Sequence, residues 1–191
     1  MDKLSTKTIA DKSLLVLIAL LVIIGGSYFY WLKMKPQNKP LPSPAPIASF
    51  DDCVTAGYPV MESYPARCST PDGTHFTENI GNELEMANMI KIDSPRPNPK
   101  IASPLELTGQ ARGTWYFEAV FPVELQDSNG NVLATGQAQA QGDWMTEDFV
   151  PFAASLEFAA PATPTGTLIL KKDNPSGLPE NDMSLKVPIK F

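Results

Sequence analysis

The sequence feature that most constrains the fold is the alternation of apolar and mostly polar residues in Trp115–Leu125, which reads WYFEAVFPVEL. Every odd position is apolar, whereas the even positions include Glu118 and Glu124. A repeat of two residues is typical of a β-strand with one buried face and does not fit an α-helix. We therefore predict one long strand here. Its core residues, shared with the last strand of the chain, would be Trp115, Phe117, Phe121, Leu125, Leu185 and Val187.

A predicted hairpin turn follows this strand, in the sequence DSNGN of residues 127–131. The Asn129-Gly130 pair predicts a type I′ connection, since both residues tolerate the positive φ angles that this turn requires. The same residues also resemble the start of a calcium-binding loop. That alternative fails because Val132 replaces the invariant glycine of such loops and Ala138 replaces their bidentate glutamate.

Seven short apolar segments, separated by turn residues, occupy residues 89–191. The last segment is the clearest, because Leu185, Val187 and Ile189 alternate with polar residues or proline. Strands at this spacing over about 100 residues predict an all-β fold, an antiparallel β-sandwich of two sheets.

The same region resembles a known family. The motifs that carry the resemblance are SPLELTGQARGTWYFEAVFPVEL, GDWMTEDFVPFAASLEF and KKDNPSGLPE, in that order along the chain. Together they resemble the immunoglobulin-like domain first named from bacterial spore-germination proteins, over roughly residues 89–191. The resemblance implies an immunoglobulin-like β-sandwich in an extracytoplasmic bacterial setting. It implies no enzymatic activity that can be carried over residue by residue.

An uncharged apolar run, Leu14–Leu32, lies near the amino terminus. At about 1.5 Å per residue, a helix of this length would match the hydrocarbon thickness of a bilayer. A cleaved signal peptide is the alternative, but the run is longer than a usual signal-peptide core and lacks a clear small-residue cleavage site. We predict an N-terminal transmembrane helix that is retained in the mature protein.

Both cysteines of the chain lie in a short segment, residues 51–78, that also resembles a module found ahead of such domains in membrane-anchored bacterial proteins. The segment is rich in turn residues and has too few apolar residues to fold alone. A Cys53–Cys68 disulfide would close a loop of about 16 residues and stabilise it by roughly 3 kcal/mol. A metal site is disfavoured, because two cysteines and the distant His75 do not supply four ligands. Since disulfides form in oxidising compartments, we place this segment outside the cytoplasm and the amino terminus inside.

These features predict six consecutive parts of the chain. They are a cytoplasmic tail, a transmembrane helix, a Pro-rich linker, a disulfide-stapled two-Cys segment, a second linker and the β-sandwich. The predicted boundaries are residues 1–13, 14–32, 33–50, 51–78, 79–88 and 89–191.

The charge is distributed unevenly. Residues 1–39 carry six lysines and two aspartates, whereas residues 40–191 carry nine basic and nineteen acidic residues, so the net charges are +4 and −10. Such an acidic part is repelled by phosphate backbones, which argues against nucleic-acid binding. The chain has a single histidine, so catalytic triads and multi-histidine metal sites lack their usual residues. We predict no catalytic residue, no metal ligand and no cofactor.

The candidate partner-binding residues lie between two predicted strands, in residues 142–152. This stretch combines carboxylates with aromatic and methionine side chains, which supply contact area at a binding surface. Packing of Trp144 and Phe152 in the core is the competing interpretation. A catalytic carboxylate pair is disfavoured, because one loop would supply every acid and no second carboxylate-bearing cleft is identifiable. The predicted contact residues are Asp143, Trp144, Met145, Glu147 and Asp148.

These observations favour a non-catalytic, membrane-anchored binding or assembly module on the outer side of a bacterial cell membrane. Its partner would be an envelope protein or a cell-wall component. The alternative is an envelope protease inhibitor, or an enzyme accessory, acting through the loop between Cys53 and Cys68. In that case the constrained sequence Tyr64-Pro65-Ala66-Arg67 would be the inhibitory element.

Overall fold

The computed structural model describes residues 21–31 and 46–191. Residues 21–31 are helical and are called α1. Within the described ranges, no helix combines the length and the apolar character needed to cross a membrane. The rest of the predicted span Leu14–Leu32, the predicted tail and residues 33–45 of the predicted linker lie outside the described residues. All strands assigned in the described ranges belong to the compact unit Ile47–Phe191.

This unit has short helices and mostly β-strands in its described residues. The helices are α2 (Phe50–Thr55) and α3 (Glu83–Met86). The strands are β1 (Val60–Met61), β2 (Arg67–Ser69), β3 (His75–Thr77), β4 (Ile90–Ser94), β5 (Leu105–Arg112), β6 (Val120–Asp127), β7 (Val132–Ala140), β8 (Phe149–Leu156), β9 (Thr165–Lys171) and β10 (Ser184–Lys190).

The first three strands form a small antiparallel sheet in the order β1-β2-β3. Helix α2 begins after Ser49, whose hydroxyl oxygen accepts a 3.1 Å hydrogen bond from the N–H of Asp52, a common N-cap arrangement. A disulfide joins Cys53 of α2 to Cys68 of β2, and both cysteines are fully buried. The predicted disulfide is therefore confirmed, and it holds α2 to the central strand of this sheet.

The other seven strands form an antiparallel sheet in the order β10-β9-β6-β7-β8-β5-β4. Strand β7 pairs with β6 along most of its length and then, at Gln139 and Ala140, pairs with β8. It thereby connects two layers, β10-β9-β6 and β8-β5-β4. Helix α3 contacts both outer strands, β4 and β10. The result is a nearly closed, barrel-like antiparallel sandwich, which confirms the all-β prediction and is consistent with an immunoglobulin-like fold.

The core between the layers is centred on Phe121, which is fully buried. Its ring makes edge contacts with the rings of Trp115, Tyr116 and Phe152, at centroid distances of 6.5, 5.3 and 5.0 Å. Phe152 therefore packs in the core, as the alternative to a partner-binding role predicted. The buried aromatic rings, with the inward residues of β6 and β10, form the apolar centre of the domain.

The predicted long strand is interrupted, which corrects the expectation for its first half. Gly113–Trp115 forms a short 3-10 turn, and β6 begins at Val120. Between them, Glu118 and Ala119 have φ angles of 51° and 66°. Phe117 and Val120 exchange two backbone hydrogen bonds of 3.0 and 3.1 Å. The chain therefore reverses in a two-residue turn with the φ signs of a type I′ hairpin.

This turn changes which side chains face the core. Phe117, predicted to be buried, is 43% exposed. Tyr116, predicted to lie on the polar face, is buried, and its hydroxyl donates a 2.8 Å hydrogen bond to the carbonyl oxygen of Val150. Burial raises the pKa of Tyr116 to about 12. The alternation therefore describes β6 correctly and fails for the residues before it.

The turn between β6 and β7 also differs from its prediction. Gly130 has a positive φ of 82°, whereas Asn129 does not, so the type I′ expectation is wrong. Instead, the carboxylate of Asp127 accepts hydrogen bonds from the N–H groups of Asn129 and Asn131 at 2.9 and 2.8 Å, and from the Asn131 side chain at 2.9 Å. The side chain of Asp127 thus holds the loop in a wider turn.

These contacts predict a pH dependence of stability. Hydrogen bonds to its carboxylate lower the pKa of Asp127 from its ordinary value of 3.8, and the bond from the Asn131 side chain has the largest effect. A carboxyl group with a lowered pKa stabilises the fold above its unfolded pKa, and this stability is lost as pH falls through its folded pKa. We expect the stability difference between wild type and Asp127→Asn to be constant at neutral pH and to shrink as pH falls below about 3.8. Urea unfolding across this pH range measures it, and a difference that does not vary with pH would contradict the account.

Candidate functional site

The predicted contact residues lie in the loop between β7 and β8, residues 141–148, which we call the β7–β8 loop. The loop begins beside the turn Phe117–Val120, because the N–H of Ala140 donates a 2.8 Å hydrogen bond to the carbonyl oxygen of Ala119. The turn and the loop therefore lie at the same end of the sandwich.

Arg112 holds the base of the β7–β8 loop. Its Nη1 donates to the carbonyl oxygen of Glu147 and its Nε to that of Asn88, each at 3.0 Å. The guanidinium carbon lies 4.4 Å from the ring centroid of Phe149, and the Nζ of Lys91 lies 4.7 Å from the same centroid. Cation–π contacts of this kind contribute about 0.5–1 kcal/mol each at exposed sites. These interactions fix the point at which the loop enters β8.

Gly113 allows the loop to pass close to the backbone. Its N–H donates a 3.1 Å hydrogen bond to the carbonyl oxygen of Asp148. A Cβ atom at this position would lie 1.9 Å from the carbonyl oxygen of Thr146 and 2.3 Å from that of Trp144. Because both obstacles are backbone atoms, a larger residue would displace the loop.

The structure brings the five predicted contact residues into one loop but gives them different environments. Met145 is 77% exposed, and Asp143, Glu147 and Asp148 are also exposed. Trp144 is half-buried and packs against the core. The carboxylate of Asp143 accepts a 3.0 Å hydrogen bond from the N–H of Met145. The exposed apolar contact of the loop is therefore Met145 and not Trp144.

One exposed aromatic residue beside the loop was not predicted. Phe117 projects from the turn in which Glu118 and Ala119 have positive φ angles. This conformation costs about 1–2 kcal/mol per residue other than glycine, and such strain often accompanies function. The sequence gives no sign of it, because the turn lacks glycine, asparagine and aspartate. The surface formed by the loop and this turn, called the loop-end surface, includes Phe117, Glu118, Asp143, Met145, Glu147 and Asp148.

Comparison with protein families gives a match over the strands that carry this surface. Residues 89–177 match the model of the immunoglobulin-like domain of bacterial spore germination. The match supports an immunoglobulin-like domain of this type at residues 89–177. The matched range extends from the start of β4 to beyond β9 and includes the whole loop-end surface. Comparisons with curated proteins and with solved structures find no significant match.

The sequence Tyr64–Arg67, considered above as an inhibitory element, lies outside this immunoglobulin-like domain. Arg67 belongs to the central strand β2 and pairs with Met61 on one side and Thr77 on the other. The hydroxyl of Tyr64 accepts a 2.6 Å hydrogen bond from Nη2 of Arg96. Recognition by strand addition needs a free backbone edge, and β2 has none at Arg67. The backbone of Arg67 is therefore paired on both sides, whereas the side chains of Tyr64 and Arg67 are exposed.

The acidic and sulfur-containing side chains of the described residues are not arranged as a metal site. In residues 21–31 and 46–191, no three His, Cys, Asp or Glu side chains are grouped as metal ligands. The carboxylate of Asp127 is occupied by the hydrogen bonds of its own turn. The loop-end surface itself offers exposed apolar side chains and carboxylates.

Proposed function

We propose that this protein is a non-catalytic binding or assembly module of a bacterial cell envelope. An N-terminal helix anchors it in the membrane, and its two-Cys segment and immunoglobulin-like domain lie outside the cytoplasm. Its partner is an envelope protein or a cell-wall component. The observation that carries the proposal is the loop-end surface, in which exposed Met145 and Phe117 accompany several carboxylates.

Three observations support the proposed location. The run Leu14–Leu32 has the length and apolar composition of a membrane anchor. The Cys53–Cys68 disulfide is typical of proteins in oxidising compartments. The matched family is described from bacterial spore germination, which fits a bacterial envelope protein.

The binding role is supported by the hydrogen bonds that hold the β7–β8 loop of the loop-end surface in place. Arg112 and Gly113 fix the β7–β8 loop through hydrogen bonds to its backbone. A surface that is ordered before binding loses less conformational entropy when a partner binds. The carboxylates around Met145 favour a partner with a basic or neutral surface, because charge complementarity steers association.

The test compares how much partner is recovered by variants that fold like the wild type. We expect Met145→Ala and Glu147→Ala each to reduce recovery of the partner from envelope extract at least about fivefold, as for an interface residue worth about 1 kcal/mol. Val132→Ala is the matched control, because Val132 is 53% exposed at the opposite end of β7. Equal recovery by all folded variants would exclude the loop-end surface as the contact.

A further inference from the structure

A cleft lies at the other end of β6, away from the loop-end surface. Strand β6 runs from the turn Phe117–Val120 to the turn at residues 127–131, and the cleft, of about 600 Å³, lies beside the second turn. One wall comes from residues 76–79, in and after β3. Residues 165–167 of β9 and 188–190 of β10 also line the cleft. This volume is in the range of ligand-binding clefts.

Strand β3 presents a free backbone edge beside this cleft. It pairs only with β2 in the described structure. The N–H of Glu78 donates a 2.8 Å hydrogen bond to the carbonyl oxygen of Ala66, which identifies a hydrogen-bonded pair. Because such pairs alternate along an antiparallel ladder, Thr77 and His75 turn their N–H and C=O groups away from β2. Both residues are exposed, and no described residue is hydrogen-bonded to these outward groups.

The edge of β10 is protected, in contrast to that of β3. The side chain of Asn82 donates to the carbonyl oxygen of Ser184 at 2.9 Å and accepts from the N–H of Lys186 at 2.7 Å. The N–H of Asn98 donates to the carbonyl oxygen of Pro188 at 2.7 Å. Asn82 thus replaces a neighbouring strand along this edge. Proteins commonly cover edges in this way, because unpaired edges recruit other strands.

We propose that the cleft beside β3 binds an extended polypeptide segment of a partner protein, which adds a strand to the free edge of β3. The N–H and C=O groups of such a segment complement the outward groups of His75 and Thr77. The hydroxyls of Thr77, Thr165 and Thr167 line the cleft and have no hydrogen-bond partner among the described residues. They can bind polar side chains of the segment.

The charges and rings of the cleft define the segment further. Asp51 is paired with Lys190 at 2.7 Å, and the carboxylate of Glu78 accepts a 3.1 Å hydrogen bond from the side chain of Asn98. Because Asp51 and Lys190 compensate each other and Glu78 is the remaining charged residue of the lining, the cleft repels an acidic segment and accepts an uncharged one. Half-buried Phe50 and Phe76 also line it and offer apolar contact to alternate side chains of an extended chain. This surface is separate from the loop-end surface.

The experiment uses the full chain in detergent micelles and uncharged heptapeptides selected from a random phage-displayed library. Thr77→Pro removes the outward N–H of Thr77 without removing a hydrogen bond to β2. Val60→Pro is the matched control. Val60 lies in β1, on the opposite edge of the same sheet. Its N–H points away from β2, because the adjacent Pro59 makes the hydrogen bond to β2. We expect Thr77→Pro to weaken binding of the selected peptides at least about tenfold and Val60→Pro to leave it unchanged.

Amide hydrogen exchange of the wild type provides a second readout that needs no variant. Peptide binding is expected to slow exchange at His75 and Thr77, while Phe76, which is bonded to β2, is protected with or without peptide. Peptides that bind without this alternating protection, or a library that yields no binder, would overturn the proposal. Binding of an N-acetylglucosamine tetramer in the cleft without protection of these amides would identify a saccharide site instead. Each of these outcomes leaves the test of the loop-end surface unaffected.

Discussion

Replacing Phe121 by alanine is expected to lower the free energy of unfolding by about 3–5 kcal/mol. Phe121 is fully buried and makes edge contacts with three other rings. Its removal therefore loses both the transfer free energy of the ring and the contacts around the cavity that remains. Chemical denaturation followed by circular dichroism measures the change.

Phe117→Ala is the matched control for this prediction. The same truncation at a side chain that is 43% exposed should cost under about 1 kcal/mol. Comparable losses for the two variants would mean that Phe117 lies in the core, as the sequence pattern alone suggested, and would contradict the turn at Glu118 and Ala119.

Removing the disulfide is expected to have the second largest effect. Cys53 and Cys68 are 15 positions apart, and closing a loop of this length stabilises a chain by roughly 3 kcal/mol in the loop-entropy account. The double variant Cys53→Ala/Cys68→Ala should therefore lose about this much stability in residues 50–77. Amide exchange of β2 and β3 measures the local free energy of opening.

The buried strands of the immunoglobulin-like domain provide the control in the same experiment. Exchange in β6 and β9 should change little, because the disulfide joins α2 to β2, which belongs to the other sheet. Unchanged exchange in β2 would show that the disulfide adds no stability there. An equal loss in β6 would show that the two sheets unfold together.

Which residues of β10 face the core was largely predictable from the sequence. In β10, Leu185, Val187 and Ile189 are buried and alternate with residues that remain at least partly exposed. The fold class follows from this kind of pattern, because a period of two sorts residues between a core and a wet face. The disulfide was predictable from the small number of apolar residues around two cysteines.

The first half of the long predicted strand was not predictable in the same way. Trp115 is buried as expected, but through a 3-10 turn, and Phe117 is exposed through two positive φ angles at Glu118 and Ala119. Residues of these types rarely adopt that conformation, so no local signal announces the turn. Its geometry depends on tertiary contacts such as the Ala119–Ala140 hydrogen bond.

The sequence marks the candidate loop but does not show which of its side chains are exposed. A loop that mixes carboxylates with Trp144 and Met145 stands out in the sequence, yet packing against the core removes much of Trp144 from solvent. Arg112 holds the β7–β8 loop through the carbonyl oxygen of Glu147, which is 35 positions away in the sequence. Contacts between residues so distant in sequence follow from the strand order, which the alternation pattern does not specify.

Site-specific photocrosslinking in the native envelope tests the central claim most directly. A photoreactive phenylalanine derivative would replace Met145 of the loop-end surface in one variant and the exposed Val132, at the opposite end of β7, in another. The account predicts a discrete crosslinked partner from position 145, reduced when Glu147→Ala is added, and no such product from position 132. Equal crosslinking from both positions, or none from position 145 in folded protein, would contradict it.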